Sequence, residues 1–405
     1  MSKTILLIGA FDVKAEEYDF VRGLIEGQGC GVMAMNVGVM GGTSLFPIDV
    51  DAAEVARAGG GDLQKLRDAG DRGAALKVMS QGAAVVAQRL YQDGAFAGVL
   101  AMGGSGGTGV ATAAMRALPI GVPKVMVSTL AASDISPFVG FKDVVMIPAI
   151  VDVAGVNRIS EKIFKEAVGA VCGMVRMDFR PSLEQRPIIA ASMFGNTTPC
   201  VDRCRKTLTE RGYEVLVFHS TGSGGRMMES LVADGHVAAV LDITTTEWAD
   251  EICDGILSAG DARLDAPGQA GIAHLIVPGC VDMANFGGKH TIPDRHKDRQ
   301  FYEWSPTVTL MRTNVEENEQ MGRIFARKAN AAKGPVAFLL PLRGVSMLDK
   351  PGELFWSPDA DRAVFDAIRK NVKPGIEVVE LDCNINDDAF ADKAVEMLMD
   401  LMGRT

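Results

Sequence analysis

Apolar positions along the chain fall into two patterns. Short runs rich in Val, Ile, Leu and Ala alternate with longer stretches in which apolar residues recur every three or four positions. The first pattern predicts strands and the second amphipathic helices. Strands are expected over Thr4–Ala10, Val32–Val37, Ala97–Met102, Lys124–Ser128 and Val144–Ile150, with helices over Ala15–Gly27, Asp71–Asp93, Thr108–Leu118 and Ser160–Val175. The pattern then restarts. Ile188–Phe194, Val215–His219, Val237–Ile243, Ile272–Val277, Val336–Leu340 and Glu377–Leu381 read as strands, and Pro199–Arg211, Arg226–Asp234, Glu316–Ala332, Asp359–Asn371 and Asp387–Met402 as helices. Such alternation builds parallel βαβ units with helices on both faces. The expected fold is α/β, with two tandem domains of mainly parallel sheet over residues 1–180 and 185–405. The polar, Pro-bearing stretch Asp178–Pro187 is the expected linker, and a ligand cleft is expected between the domains.

The two halves read as a diverged repeat. A slide of 183 residues lays Phe11 on Phe194, Gly29 on Gly212, Val32 on Val215 and Gly41–Gly42 on Gly224–Gly225. At a different offset, residues 99–109 correspond to residues 240–247, each after a third strand.

Candidate chemistry sits at the ends of these strands. Gly103, Gly104, Ser105, Gly106, Gly107, Thr108 and Gly109 follow one strand directly and lead into a helix. Glycines let the backbone approach a ligand closely, and N–H groups at a helix start attract anions. A phosphate-bearing ligand is expected there, with Ser105 and Thr108 adding hydroxyls. The run matches neither GxxxxGK[ST] nor a dinucleotide fingerprint. Asp12 and Lys14 flank the turn after the first strand; Lys14 suits a phosphate, and Asp12 suits a metal, a ribose or a plain helix cap. Gly41 and Gly42 join the same wall. In the second half, Asn196–Thr197 occupies the matching turn. Ser220, Gly222, Gly224, Gly225 and Arg226 read as a second anion loop. Asp242, Thr244, Thr245 and Glu247 offer carboxylates and hydroxyls to a metal or a hydroxyl-rich ligand. Asp282 and Arg343 complete the set. Catalytic roles are expected for Asp242, Glu247, Asp282 and Arg343, and a metal at Asp242. Cys280 has no flanking base and reads as inert. The basic stretch Lys289–Arg299 is either a solvated loop or an anion-neutralising lid.

Charge and composition narrow the partners. The formal net charge is −10, and no apolar run reaches the roughly 18 residues of a membrane span. Nucleic acid and membrane are therefore not expected as partners. The N-terminus lacks a signal-peptide pattern, so the cytoplasm is the default. The seven cysteines contain no CxxC pair, and free thiols in a reducing compartment are expected.

Taken together, these motifs resemble a nucleotide-binding domain family, typified by the N-terminal part of the tomato mosaic virus resistance protein. The carrying segments are GAFDVKAEE (9–17), MNVGVMGGTS (35–44), AMGGSGGTGVAT (101–112), MFGNTTPCV (193–201), HSTGSGGRMME (219–229), LDITTTE (241–247), PGCVDMANFG (278–287), TVTLMRT (307–313) and LPLRGVSMLDKPG (340–352). The resemblance implies two Rossmann-like domains, an ATP site with Mg²⁺, and a homodimer. Two positions depart from the family pattern. Val13 stands where a threonine is usual, and Tyr302–Glu303–Trp304–Ser305–Pro306 lacks the histidine and asparagine of a Tyr-x-His-Asn-Pro motif. Three functions stay open. One is an enzyme acting on a phosphorylated or carboxylated small molecule with ATP. The second is a nucleotide-gated module acting through a protein partner. The third is a sugar-acid or keto-acid lyase or hydrolase that needs no nucleotide.

Overall fold

The computed structural model describes residues 3–177 and 184–404, so residues 178–183 of the expected linker lie outside the described residues. The chain divides at Arg180/Pro181 into two units. Unit 1 is built on the parallel strands β1 (Thr4–Gly9), β2 (Gly31–Asn36), β3 (Gly98–Gly103), β4 (Lys124–Ser128) and β5 (Val145–Pro148), in the order β2-β1-β3-β4-β5. Alternation along β1 explains how both faces are buried. Ile5 and Leu7 pack with Phe164, Val168 and Val171 on one side. Leu6 and Ile8 pack with Met79, Ala83 and Met115 on the other.

Unit 2 contains β6 (Ile188–Met193), β7 (Glu214–His219), β8 (Ala239–Thr244), β9 (Ala273–Gly279), β10 (Met283–Phe286), β11 (Phe301–Ser305), β12 (Val308–Arg312), β13 (Val336–Pro341) and β14 (Glu377–Leu381). Six of them form a parallel sheet in the order β14-β13-β9-β8-β6-β7. Each sheet therefore places its first strand between its second and its third, so the strand order reverses beside β1 and beside β6. Such reversals are where open α/β sheets leave a crevice at the carboxyl ends of the strands.

The structure departs from the sequence pattern in three ways. Two helices begin three residues earlier than expected, at Ser105 instead of Thr108 and at Ser223 instead of Arg226. Gly106, Gly107, Gly224 and Gly225 therefore lie in first helical turns. Glycine costs about 1 kcal/mol in a helix interior, but close contacts demand it at Gly224 and Gly225. A Cβ at Gly224 would stand 1.9 Å from the His219 carbonyl oxygen. Second, the seven-residue helices Ala52–Ala58, Leu63–Ala69 and Glu247–Cys253 were not anticipated; each spans too few turns for its period to stand out. Third, β10, β12 and β11 form a separate antiparallel sheet inserted between β9 and β13.

One side chain sets the geometry at the strand reversal of unit 1. Pairing between β1 and β3 ends at Ile8 and Ala101. Beyond that point the Tyr18 hydroxyl, on the helix Ala15–Gly27, lies between the strand ends. It is 2.7 Å from the carbonyl oxygens of both Ile8 and Met102, and accepts from the Met102 N–H at 2.8 Å. Burial pushes this phenol well above its ordinary pKa. Gly9 is the residue that admits the ring, because a Cβ there would come within 2.2 Å of it. Phe11 packs edge-on against Tyr18 with centroids 5.1 Å apart. Tyr18→Phe is expected to leave the buried Met102 N–H without an acceptor and to destabilise unit 1 by roughly 1–3 kcal/mol in denaturant unfolding.

Candidate functional site

Unit 1 opens a cavity of about 530 Å³ at its strand reversal. One wall is the start of the helix Ser105–Arg116. Gly104 is its N-cap and no side chain caps it. The amides of Ser105, Gly106 and Gly107 are first-turn groups, which a helix leaves without internal partners. Thr108 turns inward, with its hydroxyl 2.6 Å from Ser128 Oγ. Ser105 is exposed at the mouth.

The opposite wall comes from the loops after β1 and β2. Asp12 Oδ2 accepts from the Met40 N–H at 2.8 Å, while Asp12 Oδ1 is buried without a partner. Gly38 makes room for this carboxylate, since a Cβ there would stand 2.2 Å from Oδ1. Lys14 Nζ donates to the Val153 carbonyl, a neutral acceptor that leaves its charge uncancelled. Gly41 and Gly42 do not line the cavity; the Gly41 carbonyl instead accepts from Asn36 Nδ2 at 2.8 Å. Apolar side chains supply much of the remaining surface, including Val37, Leu76, Met79, Met102 and Val110.

Two cations of this cavity escaped the sequence reading. Arg72, the first residue of the helix Arg72–Gln92, has a guanidinium nitrogen 3.5 Å from where a Gly106 Cβ would stand. It has no partner among the described residues. Arg67 also lines the cavity, and its Nε donates to the Val39 carbonyl. A signal for Arg72 existed. A cation in a first helical turn opposes the helix dipole, so another reason for its place beside the N-cap Asp71 is needed.

The matching place in unit 2 is filled from within. The Glu247 carboxylate occupies the glycine loop, with Oε1 accepting from the Gly222 N–H at 2.8 Å and the Gly225 N–H at 3.1 Å. A Cβ at Gly225 would stand 2.2 Å from Glu247 Oε2, which is why glycine is required there. The buried Arg263 donates its Nε to Glu247 at 2.7 Å and grips both oxygens of Asp242 at 2.6 Å. Ser192 Oγ donates to Asp242 at 2.6 Å and accepts from the Thr244 N–H at 2.9 Å. Burial alone would raise the Asp242 carboxyl, but Arg263 and His274 hold it well below the usual range.

Arg263 thus holds both oxygens of Asp242, the residue expected to take a metal. Among the described residues no group of three or more His, Cys, Asp or Glu side chains is disposed to hold a metal ion. Glu247 likewise stands as the anion of the loop, where a catalytic group was expected.

The other second-half candidates point mainly at their own backbone. Ser220 Oγ donates to the Thr244 carbonyl at 3.2 Å, and Thr245 Oγ1 to that of Val277 at 3.1 Å. Thr197 and Thr244 hydroxyls meet at 2.7 Å. Asn196 Nδ2 lies 3.4 Å from Met283 Sδ. Arg226 donates to the Ala259 and Ser258 carbonyls. Arg343 is exposed and forms a forked pair with Asp382 at 2.6 and 3.0 Å. The antiparallel insert covers part of this edge: Thr246 Oγ1 donates to the Met283 carbonyl, and the Asn285 N–H to Asp250. Cys280 is fully buried, and burial beside Asp282 pushes its thiol well up.

Asp282 belongs to a second buried cluster. It accepts from Ser346 Oγ at 2.8 Å, while Arg312 pairs with Asp361 at 2.8 Å and Asp349 at 3.4 Å. Two carboxylates thus share one guanidinium, and the third, Asp282, feels its charge without touching it. Burial and the Asp349 charge push Asp282 up to about 7 and Asp361 up to about 8, with Arg312 pulling both down.

Fold and sites define a tandem α/β protein whose first unit has an open pocket lined by Lys14, Arg67 and Arg72 and by Asp12, Asp71 and Asp152, and whose second has a self-filled anion loop. The chain belongs to the uncharacterised protein family UPF0261, whose N-terminal domain matches residues 3–180 and whose C-terminal domain matches residues 186–402. It is 44% identical over 403 residues to a UPF0261 protein of Clostridium tetani, covering 99% of this chain and 100% of that one. Identity to a UPF0261 protein of Mesorhizobium japonicum is 39% over 401 residues, covering 98% and 99%. The ToMV resistance protein Tm-1(GCR237) of Solanum lycopersicum is 38% identical over 337 residues, 82% of this chain and 45% of the tomato protein. Among solved structures, a UDP-N-acetylglucosamine 2-epimerase from Rickettsia bellii is 10% identical with a TM-score of 0.25, covering 68% of this chain and 78% of that one, too slight a likeness to carry an argument. No helix among the described residues is long and apolar enough to cross a membrane.

The buried carboxylates give a signed pH dependence. Their folded pKa values lie above the unfolded value of about 3.9, so the folded protein keeps protons that the unfolded chain has released. The stability they contribute is full below about pH 4 and is lost as pH rises through 7 to 8. Asp282→Asn keeps an acceptor for Ser346 and is expected to flatten this decline, measured as denaturant midpoints between pH 5 and pH 9. An unchanged slope would contradict the assignment.

Proposed function

We propose that unit 1 binds an anionic small molecule with a phosphate group and an apolar body, and that a nucleotide of the ATP type is the leading ligand. The observation that carries this reading is the uncapped glycine start of the helix Ser105–Arg116 with the unpaired Arg72 guanidinium beside it. Bare first-turn amides and a nearby cation are complementary to phosphate oxygens. Lys14 adds a second charge not cancelled by a carboxylate, and the Val37, Met79 and Met102 side chains suit the face of a base. The unpartnered Asp12 Oδ1 suits a ribose hydroxyl or a Mg²⁺ ion that accompanies the phosphates. The cavity volume of about 530 Å³ falls within the usual range of small-molecule sites. Relatives whose names carry no ligand neither add to this reading nor oppose it.

Calorimetry with ATP, ADP and AMP, with and without Mg²⁺, tests the proposal. Wild-type protein is expected to bind. Arg72→Ala is expected to weaken binding about ten-fold, the loss of one charge-assisted contact. Gly104→Val is expected to abolish it without unfolding the protein, because the nearest atom to a Cβ at that position is Thr129 Oγ1 at 3.7 Å. Absence of heat with all three nucleotides at millimolar concentration would overturn the proposal.

A further inference from the structure

The short helix Leu63–Ala69 stands out in unit 1 because none of its residues is buried. Leu63 and Leu66 only rest on the core at its edge. Its neighbours are anchored quite differently. The preceding helix Ala52–Ala58 is locked against Arg72–Gln92 by glycines: a Cβ at Gly59 would stand 2.1 Å from the Val78 carbonyl oxygen, and one at Gly82 would stand 1.8 Å from that of Val55. Between these fixed helices, Leu63–Ala69 hangs from Gly60 and Gly70. Both have positive φ, 78° and 62°, and no atom stands within 4 Å of where their Cβ atoms would be. No neighbouring atom crowds those two positions against a change of backbone angle, which would release the bonds from the Gly60 N–H to the Arg57 carbonyl at 3.0 Å and from the Gly70 N–H to that of Arg67 at 3.2 Å.

The inner side of this helix faces the cavity. Leu66, Arg67 and Gly70 line it, and the next helix begins two residues later with Arg72. Arg67 donates its Nε to the Val39 carbonyl, in the loop that Asp12 holds through Met40. A carbonyl is a weaker partner for a guanidinium than a phosphate or carboxylate, and it leaves the charge uncompensated.

We propose that Leu63–Ala69 is the lid of the unit 1 pocket and that Arg67 is the cation it carries to the ligand. On binding, the guanidinium leaves the Val39 carbonyl for an anionic oxygen of the ligand, and the helix turns inward about Gly60 and Gly70. Arg72 belongs to the fixed helix and holds the anion before and after closure. This inference rests on the nucleotide reading of the same pocket.

Hydrogen exchange of residues 61–70, followed by mass spectrometry with ATP as the probe, tests the lid, while calorimetry on the same samples tests the site. ATP is expected to slow exchange of this segment several-fold in the wild type. Arg67→Ala is expected to bind ATP about ten-fold more weakly and to show no slowing at saturation, with an unchanged melting temperature in the absence of ATP. Arg72→Ala, brought to saturation with more ATP, is expected to keep the slowing. Binding heat without slowing in the wild type would overturn the lid and leave the site standing, as would wild-type affinity in Arg67→Ala. No binding heat at all would overturn both.

Discussion

Where the order of parallel strands reverses, two neighbouring strand ends part, and the backbone groups they release need partners. In unit 1 the Tyr18 hydroxyl supplies them, placed between Ile8 and Met102 by a helix whose entry depends on Gly9. The ring fills the wedge below, and the space above it stays open. In unit 2 a small residue stands at the corresponding place. Ser192 is too short to fill the wedge alone, so it works with Asp242 and Arg263 to close the gap. The rest of each site follows from that difference.

Once Arg263 is buried beside Asp242, a second carboxylate nearby is well accommodated, and Glu247 provides it. Its position also satisfies the amides of Gly222 and Gly225, so the second glycine loop carries its anion within its own chain. Removing one partner from such a buried network is expected to cost several kcal/mol, because an uncompensated charge remains. Among the described residues no carboxylate accepts from the amides of Ser105, Gly106 or Gly107 in the first loop. Its amides face a cavity with Arg72 alongside. Two loops of similar composition thus differ in what answers their charge.

Much of this architecture was legible in the sequence. The helix Ala15–Gly27 and the strand Lys124–Ser128 fall where the periodicity puts them, because long amphipathic stretches and buried strands leave strong patterns. The polar residues at strand ends were also legible, since Asp242 and Asp282 interrupt apolar runs. Their partners were not. Arg263 lies in an irregular stretch with no motif, 21 residues from Asp242 and 16 from Glu247, and nothing local marks it as the residue that neutralises both. Arg67 and Arg72 were missed for a related reason: a seven-residue helix and a helix start reach the glycine loop only in three dimensions. The antiparallel insert escaped because its strands are four or five residues long and one of them, β11, is largely exposed.

The central claim is that the two glycine loops have opposite occupants: a ligand from outside in unit 1 and Glu247 in unit 2. Amide spectra of protein labelled with ¹⁵N-glycine read both loops at once. Titration with ATP is predicted to shift the Gly104, Gly106 and Gly107 amides and to leave Gly222 and Gly225 in place. Shifts at Gly222 and Gly225 with the first loop unmoved would contradict the account.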